Sequence, residues 1–199
     1  VYKRQMLGSG KTSMILPLCG MIKLDNTGKK IIYSCPNSIV LFEVANMIYG
    51  LGIPFAILVY NKEQNCIEYK FSSAAYGSTP TNLSKNVREE MAKNICKVFI
   101  CDFFITNELL IERTDCIKNY NRYMKFHNDD PEQYPLDSNR VPKIPEYILI
   151  LDELTMNADS QNGHGNVNFS VTTEMAIKIL KNSPQQVIAM SATLPSYND

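Results

Sequence analysis

The chain contains no tryptophan and only two histidines, His127 and His164. Nor does it carry an excess of charge: 20 lysines and arginines stand against 20 aspartates and glutamates. That balance excludes the global basic field of many nucleic-acid binders, though not a strand held by a few contacts in a cleft shared with another domain. The six cysteines (Cys19, Cys35, Cys66, Cys96, Cys101 and Cys116) form no Cys-x-x-Cys pair, so a zinc site is not expected. Apolar neighbours around Cys19, Cys96 and Cys101 mark buried thiols in a reducing compartment. His164, alone among Asn and Gly, reads as a solvated loop residue rather than a ligand. No signal peptide is legible, and long unbroken apolar runs are missing too. The longest apolar region, residues 39–60, contains Glu43 and Asn46 and is punctuated by Gly50, Gly52 and Pro54, which makes it helix, turn and strand rather than a membrane span.

What is present is a globular composition, with 45% hydrophobic and 20% charged residues over 199 positions, enough for one sizeable core. The stretch Gln5-Met6-Leu7-Gly8-Ser9-Gly10-Lys11-Thr12 organises the reading. Gly8 and Gly10 permit positive φ, so that backbone N–H groups can converge on phosphate oxygens without interference from a Cβ. Lys11 supplies a charge to the β and γ phosphates, and the Thr12 hydroxyl is suited to Mg²⁺. A helix opening at Gly10 or Lys11 turns its positive end toward the anion. Gly8, Ser9, Gly10, Lys11, Thr12 and Ser13 are therefore the expected nucleotide-binding residues. The full pattern G-x-x-x-x-G-K-[ST] fails at its first position, where Gln5 stands.

Along the chain, residues 1–6 read as a strand and 12–24 as a helix kinked at Pro17. Residues 29–35 form a buried strand, and Pro36-Asn37-Ser38 gives a turn and a helix cap. Residues 39–49 are helical with a polar stripe at Glu43, Asn46 and Gly50, and 54–60 are a strand. This alternation implies right-handed crossovers and a mostly parallel sheet. Residues 67–71 alternate like a short exposed strand, 72–82 read as a loop, and helix resumes after Ser84. Residues 97–101 are a buried strand, from which Asp102 starts a loop into a helix around 107–113. Residues 115–146, polar and with four prolines, read as a surface insertion. Its Tyr120, Arg122, Tyr123, Lys125 and Phe126 are better suited to a helix lying on its own domain than to a stacking surface for nucleic acid.

Tyr147-Ile148-Leu149-Ile150-Leu151-Asp152-Glu153 is a run of β-formers ending in two acids, as in a parallel strand buried on both faces whose carboxyl end meets ligand. Asp152 is expected to hold Mg²⁺, and Glu153 to orient or deprotonate an attacking water. Residues 187–190 form a further buried strand, followed by Ser191-Ala192-Thr193-Leu194-Pro195.

G-S-G-K-T, I-L-D-E and M-S-A-T-L-P, in this order and at these separations, resemble motifs I, II and III of superfamily 2 helicases and related nucleic-acid-dependent ATPases. Tyr33 to Ser38 sits where that family has its strand-Pro-Thr-Arg motif Ia, and Ile100-Cys101-Asp102 takes the place of motif Ib by position. The resemblance spans the chain as the first of two RecA-like domains, and it implies a three-layer P-loop α/β fold. It also implies that Ser191 and Thr193 couple nucleotide state to strand binding. Three departures stand out: Gln5 in place of Ala or Gly, Asp152-Glu153-Leu154-Thr155 in place of DEAD or DEAH, and a long Asn/Gly-rich stretch at 157–168.

The expected function is thus the ATP- and Mg²⁺-dependent motor domain of a helicase or translocase, with Lys11 and Glu153 catalytic and Thr12 and Asp152 on the metal. Its partners would be DNA or RNA and a second RecA-like domain, with no membrane. The chain starts at Val1 inside an expected strand, so a longer parent is expected, and the 199 residues alone should turn over ATP slowly or not at all. Two alternatives remain open on the sequence: an ATPase that translocates protein or duplex DNA without unwinding, and a degenerate nucleotide-binding scaffold for protein interaction. Abundant Asn, Lys, Ile and Tyr are the composition of an AT-rich genome, such as a large DNA virus or a protist, and the location expected is cytoplasmic or nuclear.

Overall fold

The structure is a computed structural model that describes residues 29–53, 55–61, 66–72, 81–83, 98–154, 171–184 and 186–190. Its strands are β1 (Lys30–Ser34), β2 (Phe55–Asn61), β3 (Cys66–Ser72), β4 (Thr81–Leu83), β5 (Val98–Cys101), β6 (Tyr147–Asp152) and β7 (Gln186–Met190). They form one sheet in the order β4-β3-β2-β5-β1-β6-β7. The five strands β2, β5, β1, β6 and β7 are parallel. The last two join antiparallel, β3 on β2 and β4 on β3. The chain is therefore α/β with a mostly parallel sheet, as its alternating pattern implies.

Three described helices pack on this sheet: α1 (Ser38–Gly50), α2 (Phe103–Asp129) and α3 (Val171–Lys181). Alternate residues of the central strands feed two separate cores. Ile31, Tyr33, Ile100, Ile148 and Ile150 meet Val44, Ala45 and Ile48 of α1 on one face. Ile32, Phe99, Leu149 and Leu151 meet Leu109 and Leu110 of α2 and Ile179 of α3 on the other. The connection from β1 through α1 to β2 runs one way across the sheet, and those through α2 and α3 run the other way. Opposite directions on opposite faces are what a single right-handed crossover rule requires.

Helices α1 and α2, which open at the carboxyl edge, are capped by their own sequence. Asn37 accepts the Ile39 amide at 3.0 Å, and Asp102 accepts the Ile105 amide at 2.8 Å. At the far end of α1, Gly52 takes φ 70°, with Gly52 N–H on the Tyr49 carbonyl at 3.0 Å and Ile53 N–H on that of Ile48 at 3.4 Å. This is the left-handed glycine termination, and Ile53 packs back into the core that holds Ile48.

Three elements differ from the sequence reading. No loop separates Asp102 from the next helix: α2 begins at Phe103 and runs 27 residues to Asp129. Its outer half is held by the returning chain, where Tyr123 donates to the Pro135 carbonyl at 2.7 Å and Tyr134 stacks on Phe126 at 5.3 Å. Tyr123 and Phe126 are thus engaged within the domain. Strand β4 (Thr81–Leu83) takes in the end of the stretch 72–82 expected as loop, and α3 has no counterpart among the elements expected from the sequence. The expected elements at 1–6 and 12–24 and the helix after Ser84 lie outside the described residues. Among the described residues no helix is long and apolar enough to cross a membrane.

Phe99 is fully buried between α2 and the sheet, whereas Leu136 is 58% exposed on the returning segment. Phe99→Ala should cost about 3–5 kcal/mol of unfolding free energy and Leu136→Ala less than about 0.5 kcal/mol, both read from urea denaturation midpoints.

Candidate functional site

The central strands are apolar through their middles, and their polar residues gather toward the ends. The carboxyl ends of β1, β5 and β6 lie side by side, with Ser34 in register with both Cys101 and Leu151. Asp152, the last residue of β6, is 3% exposed. A carboxylate at that depth requires donors, and it has them. The Tyr33 hydroxyl donates to Asp152 Oδ2 at 2.7 Å, and the Glu153 backbone N–H donates to Oδ1 at 3.0 Å.

The next residue is the most unusual of the backbone. Glu153 has φ 53°, the one positive-φ residue other than glycine among those described. A non-glycine residue in this region costs about 1–2 kcal/mol, and such positions gather where function over-determines the backbone. Here the turn breaks strand alternation directly after Asp152 and hands its amide back to the Asp152 carboxylate.

A second network locks the neighbouring strand ends on the opposite face. Thr106, in the first turns of α2, gives its proton to the Asp102 carbonyl at 2.8 Å. A hydroxyl has one proton, so the 2.6 Å contact with Ser34 must be donated by Ser34. Cys101 Sγ lies 3.2 Å from the same Thr106 oxygen. The Cys35 amide reaches across to the Cys101 carbonyl at 3.3 Å. Strands β1 and β5 and helix α2 are thereby fixed as one unit beneath the edge.

Burial, reinforced by the charge and hydrogen bond of Asp152, raises Tyr33 far above its usual range, so its hydroxyl remains a donor. Burial likewise pushes the Cys35 and Cys101 thiols up to about 12, which makes them inert rather than nucleophilic.

The chain matches no family model and no curated protein. Of the residues singled out in the sequence, Asp152 and Glu153 stand at the carboxyl end of the parallel sheet. Gly8, Ser9, Gly10, Lys11, Thr12 and Ser13 lie outside the described residues, as do Ser191 and Thr193. Met190, which precedes Ser191 in sequence, is in register with Asp152.

Sequence reasoning missed Tyr33, Ser34, Asp102 and Thr106 as supporting residues. A tyrosine inside a run of buried aliphatics was the available signal for Tyr33, because a buried phenol seeks a partner. For Asp102 it was an acid three residues before the amide it caps.

Tyr33→Phe removes the donor to a buried carboxylate and should cost about 1–3 kcal/mol of stability, measured by urea denaturation at neutral pH. The thiols impose a pH dependence. Their folded values lie above the unfolded value of 9.0, so the unfolded state loses protons first. Their contribution is intact below pH 9.0 and is lost as pH rises toward about 12. Urea midpoints should fall between about pH 9 and 11, and fall less in a Cys35→Ala, Cys101→Ala variant.

Proposed function

We propose that this chain is the first, RecA-like motor domain of an ATP-dependent helicase or translocase, a three-layer P-loop α/β unit that binds Mg·ATP. The observation that carries the reading is Asp152 with Glu153 at the carboxyl end of a central parallel strand, in a chain that also contains Gly8-Ser9-Gly10-Lys11-Thr12. Ligands of open parallel sheets gather where the direction of strand connection reverses. Here the connection from β1 leads one way and those from β5 and β6 the other, so the ends of β1 and β6 flank that crevice. Tyr33 and Asp152 meet there.

Asp152 fits a magnesium nucleotide by its donor chemistry. It is a carboxylate oriented by a phenol and a backbone amide, much as ligating carboxylates are held by their outer partners. In this reading Thr12 and Asp152 hold the ion, which when bound supplies neutralisation of charge on the β and γ phosphates. Lys11 neutralises the transferring phosphoryl group, and the glycine amides of residues 8–10 cradle the phosphates. Glu153 orients the attacking water and takes its proton. The turn at Glu153 serves this division of labour, because two consecutive acids on a regular strand would face opposite sides of the sheet. Ser191 and Thr193, following a strand registered against Asp152, are suited to sense the acidic pair and relay nucleotide state to a bound strand.

Titration with a fluorescent ATP analogue in Mg²⁺ should give saturable binding. Lys11→Ala should weaken it at least about tenfold, on the order of 1.4 kcal/mol, while Glu153→Gln should retain binding. Equal binding by wild type and Lys11→Ala would remove the nucleotide reading.

A further inference from the structure

A cleft of about 490 Å³ opens beside this edge, between the first turns of α1 and α2 and the end of β2. Its walls include Leu41, Phe42, Val59, Tyr60 and Phe104. The Phe104 ring meets Tyr60 edge-on at 5.4 Å, which joins the α2 and β2 sides of the cleft. Unlike a core, the rim is open to solvent: Phe42 is 61% exposed, Phe104 41% and Val59 36%, and Ile39, one turn before Phe42 on α1, is 67% exposed. Contiguous apolar surface of this kind on a soluble domain marks a place where something docks.

The charge of the cleft narrows what that is. Asp102 is the one charged group among its described lining residues, and neither lysine nor arginine is among them. Nucleic-acid backbone is held by cations that neutralise phosphates, and a carboxylate beside exposed rings repels it. Pro36 and Ser38, at the turn into α1, line the cleft without adding a basic side chain. An acid among aromatic faces instead suits a cation with an apolar body, through charge pairing at Asp102 and ring-face attraction at Phe42 and Phe104. The volume lies within the roughly 300–1,000 Å³ of sites that enclose drug-sized ligands, more than one side chain requires.

We infer that the cleft between α1 and α2 is a docking site for a short segment of a partner protein that presents an arginine or lysine next to a large apolar residue. The inference rests on the cleft alone and stands whether or not the chain binds ATP. Phe42 supplies the apolar anchor and Asp102 the charge selection.

The test is selection of random heptapeptides displayed on phage against the 199-residue protein, with fluorescein-labelled dT12 and U12 as nucleic-acid probes. Enriched peptides should pair Arg or Lys with Leu, Ile, Met or Phe. Phe42→Ser, at a solvent-facing position, should lower affinity for an enriched peptide on the order of tenfold or more while leaving the thermal midpoint near that of wild type. Asp102→Asn preserves a side chain able to cap α2, so it should keep the apolar preference and lose the basic one. The proposal is overturned by absence of enrichment with the wild-type protein, by enrichment of acidic or uncharged peptides, or by peptide affinity unchanged in both variants. It is equally overturned if dT12 or U12 binds wild type and Phe42→Ser abolishes that binding, since nucleic acid would then be the occupant.

Discussion

A strand buried on both faces can place a polar side chain only at its ends, and this constraint on β6 shapes the rest of the molecule. All six residues from Tyr147 to Asp152 are buried, and the carboxylate comes last. Flanked by β1 and β7 and covered by helices on both faces, the strand has no lateral route for charge to reach solvent. Asp152 must therefore be satisfied in place, by a phenol from the neighbouring strand and by the amide of the residue after it. That requirement accounts for a tyrosine at position 33, in a strand otherwise suited to aliphatics. It also accounts for a turn at Glu153 that no local preference of glutamate would select.

The two faces of the sheet divide the work at its carboxyl edge. On the α1 side, Tyr33 and Asp152 form a pair whose hydrogen bonds set the direction of a carboxylate. On the α2 side, Ser34, Cys101, Thr106 and Asp102 form a chain of short contacts whose effect is to hold strand ends and helix start at fixed separation. The first arrangement concerns charge and the second concerns rigidity. An edge used for ligand chemistry needs both, because a group misplaced by an ångström loses much of what orientation supplies.

The sequence made the central strands readable because burial on both faces leaves a continuous apolar signature, as at Ile31-Ile32, Val98-Phe99-Ile100 and Ile148-Leu149-Ile150-Leu151. Asp152 and Glu153 were readable for the same reason, being the first polar residues after such a run. The features that stayed hidden depend on contacts distant in the chain. The outer half of α2 is rich in Asn, Asp and Tyr, with little apolar periodicity, and it is fixed by Tyr134 and Pro135 of the return, which a local window does not join to Tyr123 and Phe126. Helix α3 carries its own signals, an i,i+4 pair of Glu174 and Lys178 at 2.8 Å and a buried line at Ala176 and Ile179. The Asn/Gly-rich sequence that precedes them hides the start of this pattern from a local window. Strand β4 is three residues long, too short to declare a period, and is present by virtue of pairing with β3.

The edge also sets two chemistries close together with opposite demands. Asp152 is an acid enclosed by donors, whereas Asp102 spends one oxygen on the cap of α2 and sits at the mouth of an apolar cleft. Both acids come at the ends of buried strands, yet only the second opens onto exposed aromatic surface. The difference arises from their C-terminal neighbours: Glu153 turns the chain sharply, while Phe103 and Phe104 continue at once into helix. Phe103 turns inward to the core and Phe104 outward to the cleft, so one dipeptide anchors α2 and furnishes a wall for a visitor. A helix that starts without an intervening loop is therefore what keeps the cleft in fixed relation to the acidic pair. Behind Asp102, the buried Thr106 and Ser34 tie this helix start to β1, the same strand that supplies Tyr33 to Asp152.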